Sequence, residues 1–147
     1  MFERIVAAID RDPGRSARVI EATMELARAF ASSVLVAQVR DERRAASVAP
    51  LAKAGAIPPA LHFENEQAGR DLVNGAVRRL RAHGVHAEGH LGPGAGATAR
   101  ELVAIANASG ATVIVIGDRS CRVIDALLGS VPQRVAQLAK IPVLLVH

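Results

Sequence analysis

Apolar residues in this chain follow two kinds of pattern. The first is the short, nearly unbroken run: Ile5-Val6-Ala7-Ala8-Ile9, Val34-Leu35-Val36-Ala37-Gln38-Val39, Thr112-Val113-Ile114-Val115-Ile116 and Val143-Leu144-Leu145-Val146. Runs of this length are too short for a stable helix and have no polar face, so they predict strands buried on both sides of a sheet. The second pattern is recurrence every three or four positions. Ile20, Met24, Ala27 and Phe30 predict a helix over 15–31, with Arg18, Glu21, Glu25 and Arg28 on its polar side. Leu72, Val73, Ala76, Val77 and Leu80 predict a second over 64–83, stopped by Gly84. A third opens with the capping-box pattern Thr98-Ala99-Arg100-Glu101 and stops before Gly110. Ser130, followed by Pro132 in the first turn, opens a fourth that ends near Lys140. One stretch obeys a third rule: from Val85 to Leu91 apolar or small residues alternate with His86, Glu88 and His90. That alternation predicts a strand with one wet face, as at a sheet edge.

In chain order the elements read β-α-β-α-β-α-β-α-β, which predicts an open parallel sheet covered by helices on both faces. The periodicity lapses between about 41 and 63, where Pro50, Gly55, Pro58 and Pro59 oppose a long helix, and this stretch is expected to be a variable loop. At 147 residues the chain suits a single domain.

Composition narrows the function classes. Half the residues are apolar and 22% are charged, ordinary values for a folded domain. The formal charge is +4, and its sixteen arginines are spread from Arg4 to Arg134. With no Trp or Tyr and only Phe2, Phe30 and Phe63, there is little surface on which bases could stack, so nucleic acid is not an expected partner. No apolar run has the length of a membrane span, and the N-terminus leads straight into a strand-like run, so a cytoplasmic location is expected. The single Cys121 excludes an intrachain disulfide; flanked by Arg119 and Arg122, it is either a reactive thiol or a small packed residue.

In an open parallel sheet, ligands bind beyond the carboxyl ends of the strands, where the strand order reverses. With the first strand central, that crevice lies between Asp10 and Gly117. Gly117-Asp118-Arg119-Ser120 leaves one strand, and Leu127-Leu128-Gly129-Ser130-Val131 enters a helix whose free N–H groups suit a phosphate. The same residues also serve as plain turn and cap chemistry. A rival nucleotide motif, Gly92-Pro93-Gly94-Ala95-Gly96-Ala97, has dinucleotide-fingerprint spacing, with Asp118 some twenty residues on, but it follows the half-polar strand. His86, Glu88 and His90 raise a metal site, against simple solvation at an edge, and no fourth ligand is in evidence.

Across nearly its whole length the chain resembles the universal stress protein, or UspA-like, family. The residues that carry the resemblance are Ile5-Val6-Ala7-Ala8-Ile9-Asp10, Leu35-Val36-Ala37-Gln38-Val39, Ala111-Thr112-Val113-Ile114-Val115-Ile116-Gly117, Leu127-Leu128-Gly129-Ser130-Val131 and the ending Ile141-Pro142-Val143-Leu144-Leu145-Val146. The resemblance implies a five-stranded parallel sheet of order 3-2-1-4-5, a homodimer through Val143, Leu144, Leu145 and Val146, and in one branch ATP binding by a Gly-x-x-Gly, nine-residue, Gly-[Ser/Thr] loop. Carried over, Asp10 and Val39 stand at the base and ribose end, and Gly117, Gly129, Ser130 and Val131 at the phosphate end. This loop departs from the family pattern. Ser120 replaces its second glycine, and eight residues rather than nine precede Gly129. Serine there adds steric cost but can donate a hydrogen bond to phosphate, and Arg119 can offset the charge of Asp118.

The implied function is a regulator with a crevice for ATP or another adenine nucleotide, accompanied by magnesium, and with an unidentified regulatory protein as partner. No catalytic group can be named, so at most slow ATP hydrolysis is expected. The alternative is a dimeric interaction module of the same family that has lost nucleotide binding.

Overall fold

The structure is a computed structural model that describes residues 1–39, 59–94, 96–118 and 130–147. Its elements are β1 (Arg4–Ile9), α1 (Pro13–Phe30), β2 (Ser33–Gln38), α2 (Pro59–Ala82), β3 (Ala87–Leu91), α3 (Thr98–Ala108), β4 (Val113–Gly117), α4 (Val131–Leu138) and β5 (Val143–Val146). The strands form one five-stranded sheet of order β3-β2-β1-β4-β5. All neighbours run parallel, β1 pairing with β2 from Arg4↔Ser33 to Ile9↔Gln38 and with β4 from Ile5↔Val113 to Ala8↔Ile116.

Alternation along the central strands builds two cores. Ile5, Ala7 and Ile9 point to one face with Val34, Val36, Val113 and Val115, where they meet Val19, Ile20 and Ala27 of α1 and Val73, Val77 and Leu80 of α2. Val6, Ala8, Leu35, Ala37, Ile114 and Ile116 point to the other, under Ala99, Leu102 and Ala106 of α3 and Val135 of α4. A strand covered on both faces has no use for polar residues, which is why β1 and β4 are apolar throughout their middles.

Element types follow the sequence pattern, and the differences lie at helix starts. α1 begins at Pro13, two residues before the periodic positions do, because Asp12 caps it by accepting the Arg15 backbone N–H at 2.9 Å and Pro13 needs no partner in the first turn. α2 begins at Pro59, so residues 59–63 of the expected loop are helical; residues 41–58 of that loop lie outside the described residues. Proline again marks a start. The capping box at Thr98 is not formed. Ala97 is the N-cap, without a side-chain bond, and the Glu101 carboxylate instead accepts from the Gly94 backbone N–H at 3.1 Å. Ser130 does cap α4, its Oγ accepting from the Gln133 N–H at 3.3 Å.

Candidate functional site

With β1 in the middle, the strand order reverses between β1 and β4, and a crevice opens at their carboxyl ends. It is lined by Ala8, Ile9 and Asp10 from β1 and its exit, Arg15, Ser16 and Val19 of α1, and Val39 beyond β2. Thr98 and Leu102 of α3, Ile116 and Gly117 of β4, and Val131 and Pro132 of α4 complete it. The lining is mostly aliphatic, with Asp10 and Arg15 as its charged groups among the described residues.

Of the residues expected to hold a ligand, Asp10, Val39, Gly117 and Val131 therefore line one space, although β1, β2, β4 and α4 are far apart in sequence. Ser130 stands next to it at the start of α4. Arg119, Ser120 and Gly129 lie outside the described residues, as does Cys121.

Asp10 is held by a compact network. The Asp10 backbone N–H donates to Ser16 Oγ at 3.1 Å, and the Ser16 hydroxyl donates back to the Asp10 carbonyl at 2.7 Å. Its side-chain Oδ1 accepts the Asp12 N–H at 2.9 Å. Its Oδ2 lies 3.2 Å from Arg15 Nε, while Arg15 Nη2 lies 3.1 Å from Asp12 Oδ2. Asp12 titrates below the ordinary carboxylate value, first because it accepts the Arg15 backbone N–H and then because the Arg15 charge is close. A depressed folded value means that the cap's contribution is complete above the unfolded pKa and is lost as pH falls through the folded one.

Arg15 is the residue that pattern reading missed. A signal for it existed, since a cation in the first turn of a helix opposes the macrodipole and so calls for a local reason. Here the reason is the pair of carboxylates. The stem of Arg15 also lies directly over Gly117: a Cβ on that glycine would meet Arg15 Cγ at 2.4 Å and Cδ at 2.7 Å, distances real atoms do not reach.

The rival features resolve differently. The strand before Gly92-Pro93-Gly94 is the edge strand β3, not the centre of the sheet. Two of the loop amides are already taken, Gly92 N–H by the Gln38 carbonyl at 2.9 Å and Gly94 N–H by Glu101. A carboxylate in that position repels an anion, so the motif serves to anchor the entry into α3. On β3, Glu88 faces Arg4 at 3.2 Å, with His86 Nε2 4.0 Å from its other oxygen. Among the described residues no group of three or more His, Cys, Asp or Glu is placed to hold a metal ion. Asp118 approaches His147 Nδ1 at 3.4 Å rather than Asp10. Among the described residues no helix is long and apolar enough to cross a membrane.

Comparison with known proteins decides the family. The model of the universal stress protein family matches residues 1–147. The chain belongs to the universal stress protein family. Among curated proteins it is similar to Universal stress protein YxiE of Bacillus subtilis (strain 168), 29% identical over 154 residues and covering all of both chains. Among solved structures it is similar to the Archaeoglobus fulgidus universal stress protein in complex with dAMP, 24% identical, TM-score 0.68, over 100% of this chain and 98% of that one. A universal stress protein in complex with cAMP matches at TM-score 0.68 and 21% identity, over 99% of this chain and 97% of that one. These likenesses establish for this universal stress protein the fold built above from its residues.

Proposed function

We propose that the crevice between β1 and β4 binds an adenine nucleotide, with ATP the first candidate, and that the protein acts as a nucleotide-responsive regulator rather than a fast enzyme. The observation that carries this reading is the convergence of Asp10, Val39, Gly117 and Val131 on one largely aliphatic slot beside the capped start of α4. An aliphatic slot suits the faces of a purine, and a carboxylate at its end suits an exocyclic amine. The helix start beyond Ser130 offers N–H groups to a phosphate. Arg119, Ser120 and Gly129 belong to the same proposal as phosphate-side residues. The dAMP and cAMP bound to the two similar structures support the chemical class. Magnesium enters only with a triphosphate.

Having neither Trp nor Tyr, the protein is nearly transparent at 280 nm, so copurified adenine is read directly from absorbance near 260 nm. Titration calorimetry with magnesium and ATP is the deciding measurement. Heat of binding that weakens when Ser130→Ala removes the α4 cap supports the reading. No heat at millimolar nucleotide, in protein free of bound adenine, overturns it and favours the second reading, a dimeric interaction module. One observation favours that second reading: the slot is small while Arg15 lies in it.

Under either reading we propose a homodimer paired through Val143–Val146. β5 pairs with β4 on one side only, and Leu144 and Leu145 are 41% and 38% exposed. An apolar open edge is a template for another strand. Light scattering should return twice the 15.4 kDa chain mass; the monomer mass at micromolar concentration would reject the pairing. A cytoplasmic location and an unidentified protein partner complete the proposal.

A further inference from the structure

Arg15 occupies the crevice in a way that bears on what can enter it. Its side chain is 14% exposed, its stem covers Gly117, and its guanidinium reaches Asp10 and Asp12. With the side chain so placed, the crevice retains a free volume of about 70 Å³, against roughly 300–1000 Å³ for sites that enclose small organic ligands. A nucleoside that is to reach both Asp10 and Gly117 therefore meets Arg15 at each of them. Two features make its departure feasible. Arg15 Nε is buried but meets no acceptor in hydrogen-bonding alignment, so its contact with Asp10 is an ion pair of imperfect geometry. Its three remaining single bonds beyond Cβ let the guanidinium turn without moving α1.

We infer that Arg15 sets the ligand selectivity of the crevice: it must swing off Gly117 and Asp10 for a ligand to enter, and it favours a phosphorylated nucleoside, whose phosphate gives the displaced guanidinium a new partner. This rests on the adenine-nucleotide reading above and adds to it a named selectivity residue. The physical reason is electrostatic exchange. Separating the guanidinium from two carboxylates in a partly desolvated site is costly when nothing replaces them. A phosphate replaces them with a charge-assisted, two-pronged contact that guanidinium geometry matches. An unphosphorylated nucleoside frees Asp10 for its base but leaves the cation without a replacement. Arg15 thus acts as a toll on every ligand, and only an anionic one offsets it. If the crevice is open about one-tenth of the time, apparent affinity for a ligand that gains nothing from Arg15 falls about tenfold.

The test is calorimetric titration of adenosine and AMP into the wild-type protein, Arg15→Ala and Arg15→Met, each shown to be folded by its thermal melt. Wild type is expected to bind AMP at least about tenfold more tightly than adenosine. Arg15→Ala removes both plug and cation, so adenosine should tighten about tenfold and the preference for AMP should shrink toward unity. Arg15→Met keeps a flexible stem near Gly117 but has no ion pair to break, so adenosine should tighten, though less than in Arg15→Ala, while AMP loses its advantage. Equal AMP-to-adenosine ratios, within about twofold, in wild type and Arg15→Ala overturn the role of Arg15 while leaving the nucleotide reading intact. If neither ligand binds any of the three proteins at millimolar concentration, the nucleotide reading itself fails and this role falls with it. Binding seen in Arg15→Ala but absent from wild type means that Arg15 closes the crevice to both ligands, which overturns its selectivity for a phosphorylated nucleoside and, with it, nucleotide binding by the native chain.

Discussion

The two edges of the sheet are built on opposite principles. β3 has α2 packed on one face through Val73 and Val77, while its other face presents Glu88 and His90 to water. Its open side carries charge, as an edge that must not recruit another strand usually does. β5 has no charged residue at all, and Leu144 and Leu145 remain substantially exposed on opposite faces of the strand. Leu138 at the end of α4 adds a third exposed leucine, at 44%. A chain that protects one edge and leaves the other apolar has an asymmetry that solvent alone does not favour. This contrast is what the proposed homodimer rests on: β5 is the edge that would pair, and β3 the edge that would not.

The largest effect should come from reversing the character of the open edge. Leu144→Asp combined with Leu145→Asp is expected to convert the proposed dimer to monomer in light scattering while the thermal melt stays cooperative. A variant that remains dimeric places the contact elsewhere. A smaller effect, on stability rather than assembly, is expected at the protected edge. A Cβ on Gly89 would approach Val73 Cγ1 to 2.5 Å, so Gly89→Ala should push α2 off β3 at a cost of about 1–3 kcal/mol in denaturant unfolding. No loss would mean that α2 does not cover this edge as tightly as its contacts require. The smallest effect is predicted for His86→Ala with His90→Ala, within about 0.5 kcal/mol of wild type, because both side chains are solvated. A zinc-dependent rise in melting temperature that the double substitution abolishes would reveal a metal role for the β3 edge.

The fold was legible because its central strands carry an unambiguous signal. Ile5–Ile9 and Val113–Ile116 are apolar on both faces, and only a doubly covered parallel strand tolerates that. Topology was legible through the family resemblance and through the half-polar β3, which had to be an edge. Helix starts were less so: Pro59 was read as opposing a helix and the first helix was placed from its apolar positions alone, whereas Pro13 and Pro59 each occupy a first turn. Thr98-Ala99-Arg100-Glu101 had the right residues for a capping box, yet Glu101 found a better-placed donor at Gly94, a contact made across a turn that local spacing does not encode. The same holds for the crevice. Asp10 and Gly117 could be named because strands end at them, but Arg15 reaches the site through its length from a helix, and no periodicity reports where a long flexible side chain comes to rest.

The central position of β1 has a consequence for how the chain is made. Arg4 receives the Thr112 N–H on its carbonyl and donates its own N–H to the Thr112 hydroxyl, across 108 residues of sequence. Until β4 has emerged, β1 has a neighbour on one side alone, and residues that end fully buried face solvent along an unpaired edge. At roughly 5–20 residues per second, synthesis of the intervening chain lasts on the order of 5–20 seconds. The most apolar strand of the N-terminal half is thus also the one that waits longest for its second neighbour, which makes the nascent chain, rather than the finished protein, the form of this molecule most exposed to misassociation.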